Sequence, residues 1–109
     1  MDIKVQEQGK YLVVSPSGRL DATSAQGFEA EMSKLAAGGS NFIIMDMAGL
    51  EYISSAGLRS VLLLAKTVRA AKGELRFAAF QPPVAEVFSI SGFSSMFAIF
   101  PSLAEALEK

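Results

Sequence analysis

The sequence predicts a mixed α/β fold: a single domain over residues 1–109, with a sheet of four or five strands that is parallel in its middle and helices packed mainly on one face. Three observations predict it. The 109 residues are half hydrophobic and 19% charged, a size and composition that build one proper core. Two short strand-like runs come first, with a tight turn between them. After them, runs of helical spacing alternate with short apolar runs, the order of a parallel-centred sheet.

Each element has a local reason. Ile3 and Val5 alternate with polar neighbours, Gly9-Lys10 breaks the run, and Tyr11-Leu12-Val13-Val14 resumes it, so two strands joined by a turn are expected. Pro16 and Gly18 are expected to close the second strand. Thr23-Ser24-Ala25-Gln26 has the form of a capping box, and Ala25, Phe28, Met32, Leu35 and Ala36 follow as one apolar stripe. Gly38-Gly39 ends that helix. Phe42 to Met47 is a continuous apolar run with one carboxylate, the pattern of a strand covered on both faces. A loop is expected from Ala48 to Ile53. Ser54-Ser55-Ala56-Gly57 then opens a long helix to about Ala71, ended by Lys72-Gly73. Glu74 to Phe80 is expected as a strand, and Pro82-Pro83 suit the first turn of a helix ending at Gly92. Met96 to Phe100 forms a short last strand, and a second capping box, Ser102-Leu103-Ala104-Glu105, begins a terminal helix.

Composition excludes several chemistries. With no His, Cys or Trp there is no Ser-His-Asp triad, no cysteine nucleophile, no Cys/His zinc site and no disulfide. Ten Lys and Arg against eleven Asp and Glu give a net charge of −1, which argues against a nucleic-acid partner. The N-terminal residues lack an apolar signal core and no apolar run approaches the roughly 18 residues of a membrane span, so a cytoplasmic protein without membrane insertion is expected. Asp21 and Asp46 come from separate loops and do not make a metal site. No cofactor and no catalytic turnover are expected.

The most informative stretch runs from Asp46 to Arg59. An apolar strand ends in a carboxylate, a loop crosses over, and two serines meet a helix N-terminus. Helix N-termini expose unpaired N–H groups and about half a positive charge, so they seat phosphate, bound or covalent. Ser is also a preferred N-cap, so the same residues fit a purely structural role. At about 100° per residue, Leu58, Val61, Leu62, Ala65 and Val68 fall on the core side of this helix. Ser55, Arg59, Leu63 and Lys66 share the opposite stripe. That stripe is either ordinary surface or a partner-binding face.

Ile53-Ser54-Ser55-Ala56-Gly57-Leu58-Arg59 resembles the signature of the STAS family, the anti-sigma factor antagonists of bacterial partner-switching pathways. Gly18-Arg19-Leu20-Asp21 is similar to the Gly-x-Leu-Asp before that family's first helix. Val87-Phe88-Ser89-Ile90-Ser91-Gly92-Phe93 is similar to its late Phe-x-x-Ser-Gly-Leu segment. Asp46 ends the central strand in the expected place, and the likeness spans essentially the whole chain.

The resemblance implies a protein that binds an anti-sigma factor with serine kinase activity and so releases a sigma factor. Phosphorylation by that kinase would block binding, and a phosphatase would reverse it. The implied acceptor is Ser55, with Ser54 as the alternative, and the implied partner-binding residues are Asp21, Ser54, Ser55, Ala56, Gly57, Arg59, Leu63 and Lys66. Two positions depart from the family's usual pattern: Ser54 stands where Asp is common, and Ala56 where Ser or Thr is common. A second reading is an accessory subunit of a transporter or lipid-export complex, without phosphorylation, since fold alone does not separate the two.

The remaining expectations are structural. Asp21 caps or leads into the first helix, and Asp46 accepts N–H bonds from the loop before Ser55. Lys66, Arg69, Lys72 and Arg76 form a solvated basic cluster, and Met45, Met47 and Met96 fill the core.

Overall fold

The computed structural model describes residues 1–109. Strands β1 (Asp2–Gln8) and β2 (Tyr11–Leu20) pair antiparallel from Asp2↔Ser17 to Gln8↔Tyr11, and Gly9 makes the turn at φ +62°. β2 does not close at Pro16 and Gly18 as the sequence suggested but runs on to Leu20. Its partner β3 (Phe42–Asp46) pairs alongside Leu12–Val14 only, and a further strand, β4 (Leu50–Ile53), takes over along Gly18–Leu20. Pro16 falls in the gap between these parallel partners, where its missing N–H breaks no parallel ladder. β4 occupies the stretch expected to be a loop.

The other elements follow in the expected order: α1 (Ala25–Ala37), α2 (Ser55–Ala70), β5 (Glu74–Ala78), α3 (Pro82–Ile90), β6 (Ala98–Phe100) and α4 (Leu103–Glu108). A 3-10 turn over Phe93–Ser95 precedes β6. The sheet has six strands, one or two more than expected, in the order β1-β2-β3-β5-β6 with β4 beside β2. All its pairings except β1–β2 are parallel. No helix is long and apolar enough to cross a membrane.

Strand alternation splits the core in two. Val14, Ile43, Met45 and Phe77 point to the side covered by α1, α2 and α3, where Phe28, Met32, Val61, Leu64, Val68, Val84 and Phe88 close over them. Tyr11, Val13, Ile44 and Ala78 point to the other side, where α4 lays Ala106 against them. Three helices on one face and one short helix on the other is the predicted asymmetry. Met45 and Met47 are buried as expected, but Met96 is half exposed and fills no core.

Arg76 also departs from its expected place in a solvated basic cluster. Its side chain is only 11% exposed on the α4 side, where Nη1 donates to the Ala106 carbonyl at 2.6 Å and Nε pairs with Glu74. The guanidinium lies 5.1 Å from the Tyr11 ring and 5.4 Å from Phe100, and the Tyr11 hydroxyl donates to Glu74 at 3.1 Å. A cation at the carboxyl end of α4 complements that helix's dipole. Burial alone would raise the Glu74 carboxyl, but the hydrogen bonds from Arg76 and Tyr11 outweigh it and hold the group below its usual range. Burial, then the bond to Glu74, pushes the Tyr11 hydroxyl up.

Close packing fixes where α2 begins. A Cβ on Gly57 would lie 2.5 Å from the Leu20 carbonyl oxygen and 2.8 Å from Ile53 Cγ1, so only glycine lets the first turn of α2 touch β2. Gly57→Ala is therefore expected to cost about 1–3 kcal/mol through overpacking, read as a lower urea midpoint. The Arg76 network makes a prediction of opposite kind, about pH. Because Glu74 is lowered in the folded state, its stabilisation is present above its ordinary value of 4.5 and is lost as pH falls through the lowered one. The stability difference between the unmodified protein and Glu74→Gln should therefore be largest near neutral pH and shrink steadily below that ordinary value. A difference independent of pH would contradict the network.

Candidate functional site

Parallel pairing of β2 with β4 sets Arg19 opposite Tyr52 and Leu20 opposite Ile53, so the segment entering α1 lies beside the segment entering α2. The Ser54 N–H donates to the Leu20 carbonyl at 3.0 Å and closes the junction. Asp21 and the two serines, more than 30 residues apart in sequence, thus share one end of the sheet.

The lead into α1 is built on Asp21 and differs from the expected capping box. The Asp21 carboxylate accepts from the Thr23 hydroxyl at 2.7 Å and the Thr23 N–H at 3.0 Å. The Ser24 hydroxyl donates to the Arg19 carbonyl at 2.8 Å and accepts from the Asp21 N–H at 3.0 Å. A carboxylate is the stronger acceptor, so Thr23 donates to it rather than capping the helix, and Gln26 is left exposed. The hydroxyl and N–H of Thr23 hold the Asp21 carboxyl below its ordinary value of 3.8, with a smaller contribution from Arg19 at 3.6 Å.

The two serines have different environments. Ser54 is the N-cap of α2, with extended backbone and its hydroxyl accepting from the Gly57 N–H at 3.3 Å. Ser55 is the first helical residue and is exposed, with its hydroxyl outside that capping bond. No acidic side chain stands in the first turn. The loop before β4 is tied by Asp46, whose carboxylate accepts from the Ala48 N–H at 3.2 Å as expected, and by Gln81, whose side-chain amide donates to the Ala48 carbonyl at 2.7 Å.

Down α2, Arg59, Leu63 and Lys66 are all exposed on the Ser55 side, Leu63 at 46%. Ala56 is half-buried and Gly57 buried. On the inner side Val61, Ala65 and Val68 are buried as expected, Leu58 and Leu62 are only half-buried, and Leu64 takes a core place. Ser60 is the one buried polar residue. Its hydroxyl donates to Glu29 of α1 at 2.5 Å.

Two neighbours of the site escaped the sequence reading. The Arg19 guanidinium stacks 4.1 Å from the Tyr52 ring, beside Asp21 and the start of α2. Their signal was the β2–β4 pairing, which an expected loop at 48–53 concealed. No group of three or more acidic, His or Cys side chains is placed to hold a metal ion.

The STAS domain profile matches residues 2–106 of the chain. A Bordetella bronchiseptica protein named as an anti-sigma factor antagonist, BtrV, is 42% identical over 99 residues, covering 91% of this chain and 85% of its own. The crystal structure of an anti-sigma factor antagonist from Mycobacterium paratuberculosis is similar with a TM-score of 0.89 and 22% identity, covering 98% of this chain and 91% of that one. The Bacillus cell fate determinant SpoIIAA, solved in its phosphorylated form, is similar with a TM-score of 0.76 and 21% identity, covering 98% and 97%. At these identities the two structures show a shared fold, and the profile and the Bordetella relative show more: this chain belongs to the STAS domain family.

Proposed function

We propose that this protein is an anti-sigma factor antagonist: a binding protein that sequesters an anti-sigma factor with serine kinase activity, frees a sigma factor, and is switched off by phosphorylation of Ser55. A phosphatase acting on the phosphorylated form would restore binding. The protein acts by occupying its partner rather than by turnover. The observation that carries the reading is the division of labour between the two serines. Ser54 is committed to capping α2, whereas the Ser55 hydroxyl is exposed at the helix start, in a chain 42% identical to a named antagonist. A kinase must reach an acceptor hydroxyl, and Ser55 offers one without loss of a helix cap.

The local physics favours a phosphate there. It would add about −1.5 to −2 charge beside the free N–H groups and positive dipole end of α2, with no acid in the first turn to oppose it. That placement is worth about 0.3–1 kcal/mol at an exposed site. Arg59, four residues on, lies on the same stripe and can reach back. The modification leaves packing untouched, so its effect falls on the partner, through charge and desolvation at the centre of the contact. Asp21, Ser54, Ala56 and Gly57 complete the surface around it.

The test uses each purified anti-sigma factor encoded by the same cells, with binding measured by calorimetry and the phosphosite located by mass spectrometry. Ser55→Ala should bind like the unmodified protein. Ser55→Asp should bind at least about tenfold more weakly, a loss of about 1.4 kcal/mol. Both should melt close to the unmodified protein. Equal affinity for the two variants, or sensitivity only to substitutions at Ser54, would overturn the assignment of the switch.

A further inference from the structure

The distribution of charge along the chain is uneven in one place. Residues 55–72 hold four of the ten Lys and Arg and none of the eleven Asp and Glu. Within α2 the cations are Arg59, Lys66 and Arg69, all exposed, and neither of the protein's two ion pairs involves them. At about 100° per residue, all three fall with Ser55 and Leu63 on an arc of roughly 120°. A chain of net charge −1 therefore presents one helix face whose charges are all positive, with exposed Leu63 and half-buried Leu62 among them.

Leu63 is also more than a stray surface residue. With Leu64 and Met32 it lines a cleft of about 180 Å³ between α1 and α2. Ser33, Ser60 and Thr67 also line it, so the cleft is a mixed polar and apolar seat at the surface. The one acid on the cleft, Glu29, is engaged by the Ser60 hydroxyl.

We propose that the outward face of α2 is a docking strip whose partner surface is acidic around one protruding aliphatic or aromatic side chain, which seats beside Leu63. The proposal rests on the reading above, since it names the chemistry of the anti-sigma factor surface that meets Ser55. Charge complementarity sets the partner's sign, because unpaired cations on one face steer and select an anionic surface. A protein fits better than a membrane, where about 4–8 clustered basic residues are usual. The strip also gives the switch its direction. A phosphate on Ser55 adds negative charge at the end of a positive face and repels the acidic surface that the face attracts.

The experiment measures affinity for the same panel of purified anti-sigma factors at about 50 mM and about 300 mM NaCl, since screening weakens exposed charge pairs. Arg59→Glu and Lys66→Glu should each weaken binding about tenfold or more at low salt, with the deficit shrinking at high salt. Leu63→Ala should weaken binding comparably at both salt concentrations. Lys4→Glu, which changes net charge equally on the far edge strand, should have little effect. Circular dichroism checks that each variant folds, as their exposure predicts.

If the charge reversals leave affinity unchanged, or Lys4→Glu matches them, the strip is not the docking surface. If they leave it unchanged while Ser55→Asp abolishes binding, the strip falls and the switch stands. If they weaken binding while Ser55→Asp does not, the strip stands and the switch falls. Binding by no anti-sigma factor overturns both. Sedimentation with vesicles of anionic and neutral phospholipid is the remaining arm: uptake lost on Lys66→Glu would make the strip a lipid surface instead.

Discussion

Everything at the candidate site depends on one strand having three partners. β2 runs ten residues, antiparallel to β1 along most of its length, parallel to β3 through Leu12–Val14 and parallel to β4 through Gly18–Leu20. The change of partner falls between Val14 and Gly18; within the β2–β4 pairing the register then shifts between Gly18 and Arg19, and Gly18 sits at φ +98°, a conformation that glycine adopts without strain. Past that point β2 is the only strand that holds β4, and β4 leads directly into α2. The position of Ser54 and Ser55 is thus inherited from backbone pairing some distance from the serines themselves. Gly57 then brings the first turn of α2 so near Leu20 that a methyl group would not fit.

That arrangement separates what holds the fold from what meets a partner. The inner face of α2 supplies Val61, Leu64 and Val68 to the main core, each almost fully buried. Burial of side chains of this size contributes about 1.5–3 kcal/mol each before the entropy of ordering is counted. The outer face supplies Ser55, Arg59, Leu63 and Lys66, all of them exposed. On the opposite side of the sheet, Arg76 ties α4 down through the Ala106 carbonyl while Glu74 and Tyr11 satisfy its charge. Neither α4 nor the Arg76 network takes part in the candidate site.

What the sequence made legible was local, and what it concealed was not. The helices were visible because their stripes repeat over three or four turns, as Ala25, Phe28 and Met32 do in α1. β4 was concealed because its four residues run buried, exposed, exposed, buried and so show no alternation, a consequence of pairing with β2 where the register slips. Arg76 looked solvated because its sequence neighbours include other cations. Its partners Tyr11 and Ala106 lie 65 and 30 residues away, beyond the reach of any local pattern. The Thr23 capping box failed by competition, since Asp21, two residues earlier, offered Thr23 a better acceptor. Of the site, Ser55 at a helix start and the α2 stripe were legible from spacing, whereas the Arg19–Tyr52 stack required the β2–β4 pairing.

The separation of faces decides how a covalent change on α2 can act. A group added at Ser55 meets solvent, the start of a helix and a row of cations, and it meets no packed side chain. Core substitutions of this chain would trade against a stability of about 5–15 kcal/mol, so a signal routed through packing would risk the fold each time it fired. A signal confined to the exposed face needs only to move a binding equilibrium, and about 1.4 kcal/mol moves it tenfold. Two unit charges a few ångströms apart at a protein surface interact by energies of that order or larger, and excluding water at a contact strengthens them. On the proposed reading, the phosphate is therefore sufficient by electrostatics alone. The hydrogen-bonded β2–β4 junction beneath it sets where that charge sits and where the partner must meet it.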